Sequence, residues 1–264
     1  MLGWSINLFR VFGIQLAVHA SFLLLLAYYG YVGWVEGGAI GLIWWMSLIV
    51  LFFVCVILHE LGHSLTARRF GVNVPRILLL PIGGMAEFDH IPRQPAHELL
   101  ITAAGPAVNF VLAAILFAAS WRGLLPAKEI PLYSVASILD ELWLWNLVMG
   151  IFNLLPVFPM DGGRVLRAVL AFKLPYLRAT WWAALVSKIL APTLACVAFF
   201  YLHQTMLGVL FLFILFVGDA EYRQTLRRDQ EEKYWAEMAR RATLVRPAAS
   251  AGDEPPPLIL HGPN

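Results

Sequence analysis

The sequence has little charge for its length. Lysine, arginine, aspartate and glutamate make up 14% of its 264 residues, whereas hydrophobic residues make up 60% and the mean hydropathy is +0.72. Soluble globular domains are about one quarter charged and about one half apolar. The composition therefore excludes an ordinary soluble domain and predicts a polytopic membrane protein. A net charge of +2, with no pattern of basic and aromatic residues, also argues against nucleic-acid binding.

Cysteine is scarce as well. The two cysteines, Cys55 and Cys196, lie in separate apolar runs and form no CxxC motif. Two such residues supply neither a disulfide framework nor a zinc-finger ligand set. The sequence therefore gives no indication of a disulfide-stabilised or zinc-finger fold.

Long apolar runs, in contrast, are abundant. A membrane helix needs about 20 mostly apolar residues. A short amphipathic segment precedes the first run, and no clear signal-peptidase site follows it, so we expect that run to be a retained span. The sequence predicts six transmembrane spans, near residues 14–34, 38–66, 97–120, 135–157, 179–201 and 204–219.

Basic residues are distributed unevenly around these spans. Six spans place both termini on one side of the membrane, and the opposite side receives only Arg122 and Lys128. The side of the termini receives Arg10, Arg68, Arg69, Arg76, Arg93, Arg164, Arg167, Lys173, Arg178 and the tail from Arg223. The positive-inside rule therefore predicts a multi-pass protein of the cell membrane with both termini in the cytoplasm.

Residues 75–93 interrupt the helical pattern. The run ILLL followed by P-I-G-G predicts a short strand, a turn and a second strand. Irregular backbone at membrane depth is tolerated only where it is buried in protein or lines a wet cavity. We therefore predict an all-α polytopic membrane protein with six transmembrane helices and a short re-entrant β-hairpin near a polar site. This domain spans residues 1–219, and residues 220–264 form a cytoplasmic tail, helical and then disordered.

The second span ends in ILHELGHSL, residues 57–65, which contains an H-E-x-x-H motif. His59 and His63 are four residues apart, so on a helix they share a face and can bind one metal ion. Glu60 is placed to take a proton from a water on that ion. The alternative is a helix end with solvated polar residues, but ionisable groups inside spans are costly and usually mark function.

Two histidines are an incomplete site, because a catalytic zinc usually has three protein ligands. Asp161 is the strongest candidate for the third, since it follows Pro156 and Pro159 in FNLLPVFPMDGGRVLRA, where the fourth span ends. Without a cation its burial would be expensive. The alternative, an N-cap of the following helix, is compatible with metal binding. The full set of candidates is Glu87, Asp89, His90, Asp140, Glu141 and Asp161.

These segments together resemble the site-2 protease family of intramembrane zinc metalloproteases. The resemblance rests on HELGH in a second span, GG in a short re-entrant segment, AGPAVN at residues 104–109 and FNLLPVFPMDGGR, in that order. It covers roughly residues 10–220. Because the loops are too short for a PDZ domain of about 90 residues, the resemblance is to a minimal form without PDZ or CBS domains.

The resemblance implies a site and an activity. One zinc ion per chain would be bound by His59, His63 and Asp161, with Glu60 as general base. Asn153, eight residues before the aspartate, would lie near the scissile peptide, although an interhelical hydrogen bond is an alternative role. The implied activity is hydrolysis of a peptide bond in or near the transmembrane segment of a membrane-protein substrate. Anti-sigma factors, tethered transcription regulators and remnant signal peptides are typical family substrates, and lipid is the implied surrounding.

Other polar and small residues allow two interpretations each. For Asn109 we favour helix packing over substrate contact, and for His19 we favour packing or a role behind the metal ligands. Gly83 and Gly84 either let a substrate strand approach the hairpin edge or form a tight turn. A catalytically silent membrane-protein scaffold and a metal transporter are the competing functions. The intact metal set argues against the scaffold, and the clustering of polarity at one depth argues against the transporter.

Overall fold

Helices form most of the protein, and a small sheet joins them near the N-terminus. The computed structural model describes residues 4–89, 92–120 and 131–245. The chain divides after Tyr222 into two compact units. The elements are β1 (Ser5–Val11), β2 (Ile14–His19), α1 (Ser21–Arg69), β3 (Arg76–Leu80), β4 (Gly83–Glu87), α2 (Pro95–Ala119), α3 (Val135–Asn153), α4 (Asp161–Ala171), α5 (Tyr176–Cys196), a short π-helix (Val197–Tyr201) and α6 (Thr205–Val245).

Within the described residues, five helical segments are long and apolar enough to cross a membrane. They are α1, α2, α3, α5 together with the π-helix, and the range Thr205–Arg241 of α6. Hydropathy alone therefore located the helical runs well. The predicted span at 204–219 and the predicted tail helix at 220–245 are one continuous helix, α6.

The longest helix, α1, folds back on itself. Gly37 and Gly38 have non-helical backbone angles, and they separate two helical arms. The arms contact each other along their length, since the rings of Phe22 and Phe53 lie 4.5 Å apart and those of Tyr29 and Trp45 stack at 5.2 Å. Residues so far apart in sequence can meet only if the second arm runs antiparallel to the first. The first two predicted spans therefore correspond to the two arms of a helical hairpin.

The prediction of an all-α fold is wrong at the N-terminus. Residues 14–19, expected to begin the first span, form β2, which pairs antiparallel with β1 and parallel with β3 in a sheet of order β1-β2-β3-β4. Ile14, Leu16 and Ala17 are buried. A short apolar run of this kind has the same pattern in a buried strand as in a buried helix. The missing information is the pairing with β3, which lies more than fifty residues away.

His19 ends β2 rather than lying inside a span. Its Nδ1 accepts a hydrogen bond from the backbone N–H of Ser21, at 3.2 Å, and lies 2.7 Å from the Ser21 hydroxyl oxygen. These contacts fix the passage from strand to helix. The expectation of a role behind the metal ligands is not supported by these contacts, which are local to the start of α1.

The hairpin predicted over residues 75–93 is present as β3 and β4. The strands pair antiparallel, from Arg76 with Glu87 to Leu80 with Gly83. Ile77 and Leu78 of β3 are buried, and Ile77 belongs to a core that also contains Leu61 of α1 and Ile101 of α2. The sheet is therefore held against the same helices that carry the HELGH motif and the AGPAVN segment.

Four predicted features lie outside the described residues. They are His90 as a candidate ligand, Arg122 and Lys128 as the basic residues of the opposite side, and the disordered end beyond residue 245.

Candidate metal site

His59 and His63 point in the same direction from the second arm of α1. Their Nε2 atoms are 3.1 Å apart, and both side chains are buried. This is the consequence of helical geometry, which places residues four apart on one face. Burial removes most of each imidazole from solvent, so the polar atoms of both rings depend largely on partners supplied by the protein.

Asp161 completes the group from the first residue of α4. Its Oδ2 lies 3.4 Å from Nε2 of His59 and 3.2 Å from Nε2 of His63. The helix N-cap is Met160, so Asp161 is not the N-cap that the sequence allowed as an alternative. An acidic residue in the first turn is nevertheless stabilised there by the helix dipole.

The three side chains could hold a metal ion, since their ligand atoms all lie within 4.8 Å of one another. A tetrahedral zinc with bonds of about 2.0–2.1 Å separates its nitrogen and oxygen ligands by about 3.3 Å. The observed separations of 3.1, 3.2 and 3.4 Å match that spacing. The donor set, two imidazole nitrogens and one carboxylate oxygen, is also typical of catalytic zinc.

The back of each imidazole faces a hydrogen-bond acceptor. Nδ1 of His63 lies 2.8 Å from the carbonyl oxygen of Ile101, and Nδ1 of His59 lies 2.5 Å from Oδ1 of Asn109. An acceptor at Nδ1 requires the ring hydrogen there, which leaves a lone pair on Nε2. Both Nε2 lone pairs then converge on Oδ2 of Asp161, a buried atom with no hydrogen-bond partner among the described residues. With both imidazoles neutral, three lone pairs face one point, an arrangement that a bound metal cation stabilises, so these residues fit a metal ion.

Asn109 therefore does more than pack helices. The sequence favoured packing for this residue, and it does bridge α2 to α3, since its Nδ2 donates to Oδ1 of Asn146 at 3.0 Å. Its oxygen, however, contacts His59 directly. The contact assigns Asn109 to the support of a candidate ligand rather than to substrate.

Gly105 allows α2 to pass directly over the two histidines. A Cβ atom at this position would lie 2.1 Å from Nε2 of His63 and 2.8 Å from Cε1 of His59. Real Cβ contacts are never so short, so any side chain here would displace an imidazole. Gly105 and Asn109 are four residues apart, which places both on the face of α2 that meets the site.

Glu60 lies next to the candidate ligands and against the sheet. Its side chain is half-buried, and a Cβ atom at Gly84 of β4 would lie 2.5 Å from its Cγ and 3.1 Å from its Oε1. A glycine at position 84 therefore lets the strand lie directly on the carboxyl group. Gly84 of β4 and Glu60 of the HELGH motif are therefore close neighbours.

The segment that leads to Asp161 is anchored on both sides. The backbone N–H of Phe158 donates to the hydroxyl oxygen of Ser187 on α5, at 2.8 Å. On α4 itself, the guanidinium of Arg167 binds Glu98 of α2, with Nε at 2.7 Å from Oε1, and both side chains are 1% exposed. Burial lowers the pKa of Arg167, but the charges of Glu98, Tyr176 and Glu221, together with the hydrogen bond to Glu98, outweigh burial and keep that pKa above its usual value. The ion pair therefore ties the helix of Asp161 to the helix that supports the histidines.

The remaining predicted residues are not members of the group formed by His59, His63 and Asp161. Asn153 is the half-buried last residue of α3 and is separated from Asp161 by residues 154–160. Glu87 is exposed at the end of β4, and Asp89 accepts a hydrogen bond from Asn73. Asp140 accepts one from Trp143. Glu141 is half-buried on α3 and is not a member of the group.

Three contributors to the site were not identified from the sequence: Asn146, Gly105 and the carbonyl of Ile101. Asn146 carried a usable signal, because a fully polar side chain inside an apolar span usually marks function. Gly105 could have been identified by its position four residues before Asn109, which places both residues on one face of α2. The carbonyl of Ile101 carried no such signal, since any residue supplies a backbone oxygen.

Comparisons with known proteins relate this chain to one family of peptidases. A profile of peptidase family M50 matches residues 47–127 and 127–193. A zinc metalloprotease of Methanocaldococcus jannaschii is 40% identical over 223 residues, which cover 84% of this chain and 62% of that protein. Stage IV sporulation protein FB of Bacillus subtilis is 28% identical over 181 residues, covering 68% of this chain and 60% of that protein. The chain thus spans about three fifths of the length of these two relatives.

The fold has a solved counterpart. The structure of the site-2 protease from Methanocaldococcus jannaschii matches with a TM-score of 0.59 and 38% sequence identity. The match covers 83% of this chain and 95% of that one. The similarity therefore extends over nearly the whole of the solved chain rather than over the HELGH helix alone.

Proposed function

This chain belongs to peptidase family M50, the site-2 protease family, and on that premise we propose that it is an intramembrane zinc metalloprotease. The proposed reaction is hydrolysis of a peptide bond in or near the transmembrane segment of a membrane-protein substrate. One observation carries the proposal. His59, His63 and Asp161 converge with spacings that suit one zinc ion, and Glu60 lies beside them.

The protein residues have separate roles in this mechanism. His59, His63 and Asp161 would hold one zinc ion per chain, which when bound acts as a Lewis acid toward the scissile carbonyl and makes water a better nucleophile. Glu60 accepts the proton of the attacking water and passes it to the leaving amine. Asn153 donates a hydrogen bond to the substrate carbonyl oxygen, the role its carboxamide is suited to.

The open edge of β4 is the proposed docking site for the substrate backbone. Among the described strands β4 pairs only with β3, so its other edge is available, and Gly84 brings that strand against Glu60. An extended peptide added to this edge would have its backbone groups satisfied in an otherwise dry site. A helical substrate must first unwind, because its carbonyl groups are already hydrogen-bonded. Helix-destabilising residues in the substrate should therefore favour cleavage.

The proposed topology has six membrane crossings. The two arms of α1 supply two of them, and α2, α3, α5 and α6 supply one each. In this arrangement β3 and β4 form the re-entrant hairpin, and both termini lie in the cytoplasm of a cell-membrane protein. Residues 1–219 form the protease domain and residues 220–264 the cytoplasmic tail. The uneven distribution of lysine and arginine supports this orientation.

The proposed substrates are single membrane-spanning proteins with a cytoplasmic or membrane-tethered product. Anti-sigma factors, tethered transcription regulators and remnant signal peptides belong to this class. Each offers a transmembrane segment, which must unwind before it reaches the site. Identification of the uncleaved membrane proteins that the Glu60→Gln variant retains selects among them.

The substitution Glu60→Gln tests the proposal. We expect the purified full chain in lipid vesicles to bind one zinc and to cleave a helical test substrate, with cleavage abolished by a chelator. We expect E60Q to keep its zinc and lose cleavage, because the amide cannot accept the proton. Normal cleavage by E60Q would contradict the proposed role of Glu60.

The same variant separates the protease from a catalytically silent scaffold. An inactive protease that still binds its substrate should retain uncleaved membrane proteins that the wild-type chain releases. If both forms retain the same proteins intact, the scaffold is favoured and proteolysis is contradicted.

A further inference from the structure

Two fully buried asparagines stand in line behind the candidate metal ligands. Asn109 on α2 and Asn146 on α3 are both 0% exposed. Buried amides are stable only when their donors and acceptors are matched, so each one has a defined orientation. The orientation of the pair can be followed from a fixed point on the backbone of α3.

That fixed point is the carbonyl oxygen of Leu142. Nδ2 of Asn146 lies 2.8 Å from it. A carbonyl oxygen only accepts hydrogen bonds, so the amide nitrogen of Asn146 must be the atom that faces it. The opposite atom, Oδ1 of Asn146, is thereby turned toward Asn109.

The orientation of the Asn146 amide in turn determines the orientation of the Asn109 amide. Its Nδ2 donates to Oδ1 of Asn146 at 3.0 Å and lies 3.5 Å from Sδ of Met149, a thioether that can only accept. Both hydrogens of this amide therefore have acceptors. Oδ1 of Asn109 is left to face Nδ1 of His59, at 2.5 Å.

We propose that Asn146 is a positioning residue, which fixes the amide of Asn109 and through it the tautomer of His59 that can bind a metal. An acceptor at Nδ1 keeps the ring hydrogen there and leaves the Nε2 lone pair directed at the site. His63 needs no such chain, because the carbonyl of Ile101 is already an obligatory acceptor. The inference rests on the proposed function, since it assumes that the group binds zinc.

The alternative orientation would block the site. Without the acceptor on Asn146, the amide of Asn109 can rotate and present its NH₂ group to His59. A donor at Nδ1 favours the tautomer with hydrogen on Nε2, which has no lone pair for a metal. Loss of groups behind a metal ligand typically lowers metal affinity by roughly 10- to 100-fold.

Two substitutions of Asn146 separate this role from packing. Asn146→Leu removes the acceptor but is apolar and similar in size. Asn146→Asp keeps an acceptor for Asn109 in either protonation state. We expect N146L to lower the zinc affinity of the purified full chain by roughly 10-fold or more, and N146D to bind zinc more tightly than N146L. A packing role gives the reverse order, because the buried carboxyl group is harder to accommodate than leucine.

If N146D does not fold, the effect of N146L can instead be measured in a protein that also carries Asn109→Asp. An ionised Asn109→Asp carboxylate presents an acceptor to His59 in either orientation, so its orientation no longer depends on Asn146. We expect N146L to have little further effect on zinc affinity in the N109D background. An equal loss in both backgrounds would overturn the proposal.

Zinc affinity is measured by competition with a chelator, so that the readout does not depend on proteolysis. Thr180→Val is the matched control, because Thr180 is also fully buried and bonds the carbonyl four residues earlier on α5. We expect T180V to bind zinc as the wild-type chain does. Wild-type affinity in N146L would overturn the positioning role alone. Failure of the wild-type chain to bind zinc would overturn both this inference and the proposed function.

Discussion

Gly105 is the residue at which the metal site depends most directly on the absence of a side chain. The imidazoles of His59 and His63 occupy the space that a Cβ atom would need. The effect of a side chain here is local, because α2 continues unbroken on both sides of the position. The residue therefore offers a direct test of the site geometry.

We expect Gly105→Ala to lower zinc binding by at least about 10-fold, since the new methyl group would lie 2.1 Å from Nε2 of His63. Alanine is the better helix former by about 1 kcal/mol, so a loss cannot be attributed to a weakened helix. Zinc content after dialysis against a weak chelator measures the effect. Ala107→Val, at an exposed position on the same helix, is the control. Full zinc occupancy in G105A would show that α2 does not press on the ligands.

The sequence predicted some residues of the site and not others for a physical reason. Helical spacing alone brings His59, Glu60 and His63 together, so their role could be predicted from the sequence. Asp161 could also be predicted, because a carboxylate beside two prolines and two glycines in an apolar segment needs a cationic partner. The roles of Asn109 and Asn146 depend on which faces of α2 and α3 meet, and no spacing within one helix contains that information.

At the scale of elements, the fold in α1 separates one long helix into two antiparallel arms. Gly38 has a φ of 58° and a ψ of −141°, a region that residues with a side chain rarely adopt. Apart from its neighbours in the chain, no atom of the described residues lies within 4 Å of the position where its Cβ would be. Any cost of a side chain at Gly38 is therefore a backbone cost rather than a steric clash with neighbours.

We expect Gly38→Ala to destabilise the protein by about 1–3 kcal/mol, seen as a lower midpoint of thermal unfolding in detergent. Gly30→Ala is the matched control on the same helix. Its Cβ would lie 3.4 Å from Cδ1 of Leu42, an ordinary contact, and its backbone is helical. G30A should be neutral or slightly stabilising. Equal unfolding midpoints for G38A and the wild-type chain would contradict a strained turn at this position.

The sheet illustrates the limit of prediction at this scale. The β3–β4 hairpin was predictable because the strands are adjacent and a turn sequence separates them. β2 was not, because its partner β3 follows the whole of α1 in the sequence. The apolar residues of β2 matched the start of a membrane span equally well, and only the buried contact with β3 distinguishes the two interpretations.

Across the whole molecule, the buried pair of Glu98 and Arg167 joins helices that are distant in sequence. Arg167 also lies 3.3 Å from Glu221 of α6, and Tyr176 of α5 donates to Glu98 at 3.4 Å. Four helices therefore meet at one cluster of charges. From the sequence, Arg167 was assigned to the basic residues on the cytoplasmic side of the membrane. In the structure its side chain is buried, with 1% exposed.

We expect Glu98→Leu or Arg167→Met alone to destabilise the protein by about 3–5 kcal/mol, because each leaves a buried charge without its main partner. The double variant should be clearly more stable than the sum of the two losses implies. Unfolding by denaturant in detergent micelles measures all four proteins of this cycle. Strictly additive losses would show that the two residues act independently.

The approximate positions of the long apolar helices could be predicted from hydropathy, and the family from the order of the motifs. What could not be predicted is how α4 is held in place, since the ion pair and the hydrogen bond to Ser187 both involve contacts between remote helices. These contacts hold Asp161 near His59 and His63, so they help to bring the HELGH motif and the segment around Asp161 together.

The division of the metal group between α1 and α4 also has a consequence during biosynthesis. His59 and His63 leave the ribosome about a hundred residues before Asp161. A partly translated chain therefore carries the histidines and Glu60 without the third ligand, and it lacks the helix that brings that ligand into place. Until residue 161 has been synthesised, the emerging chain therefore carries only two of the three candidate ligands.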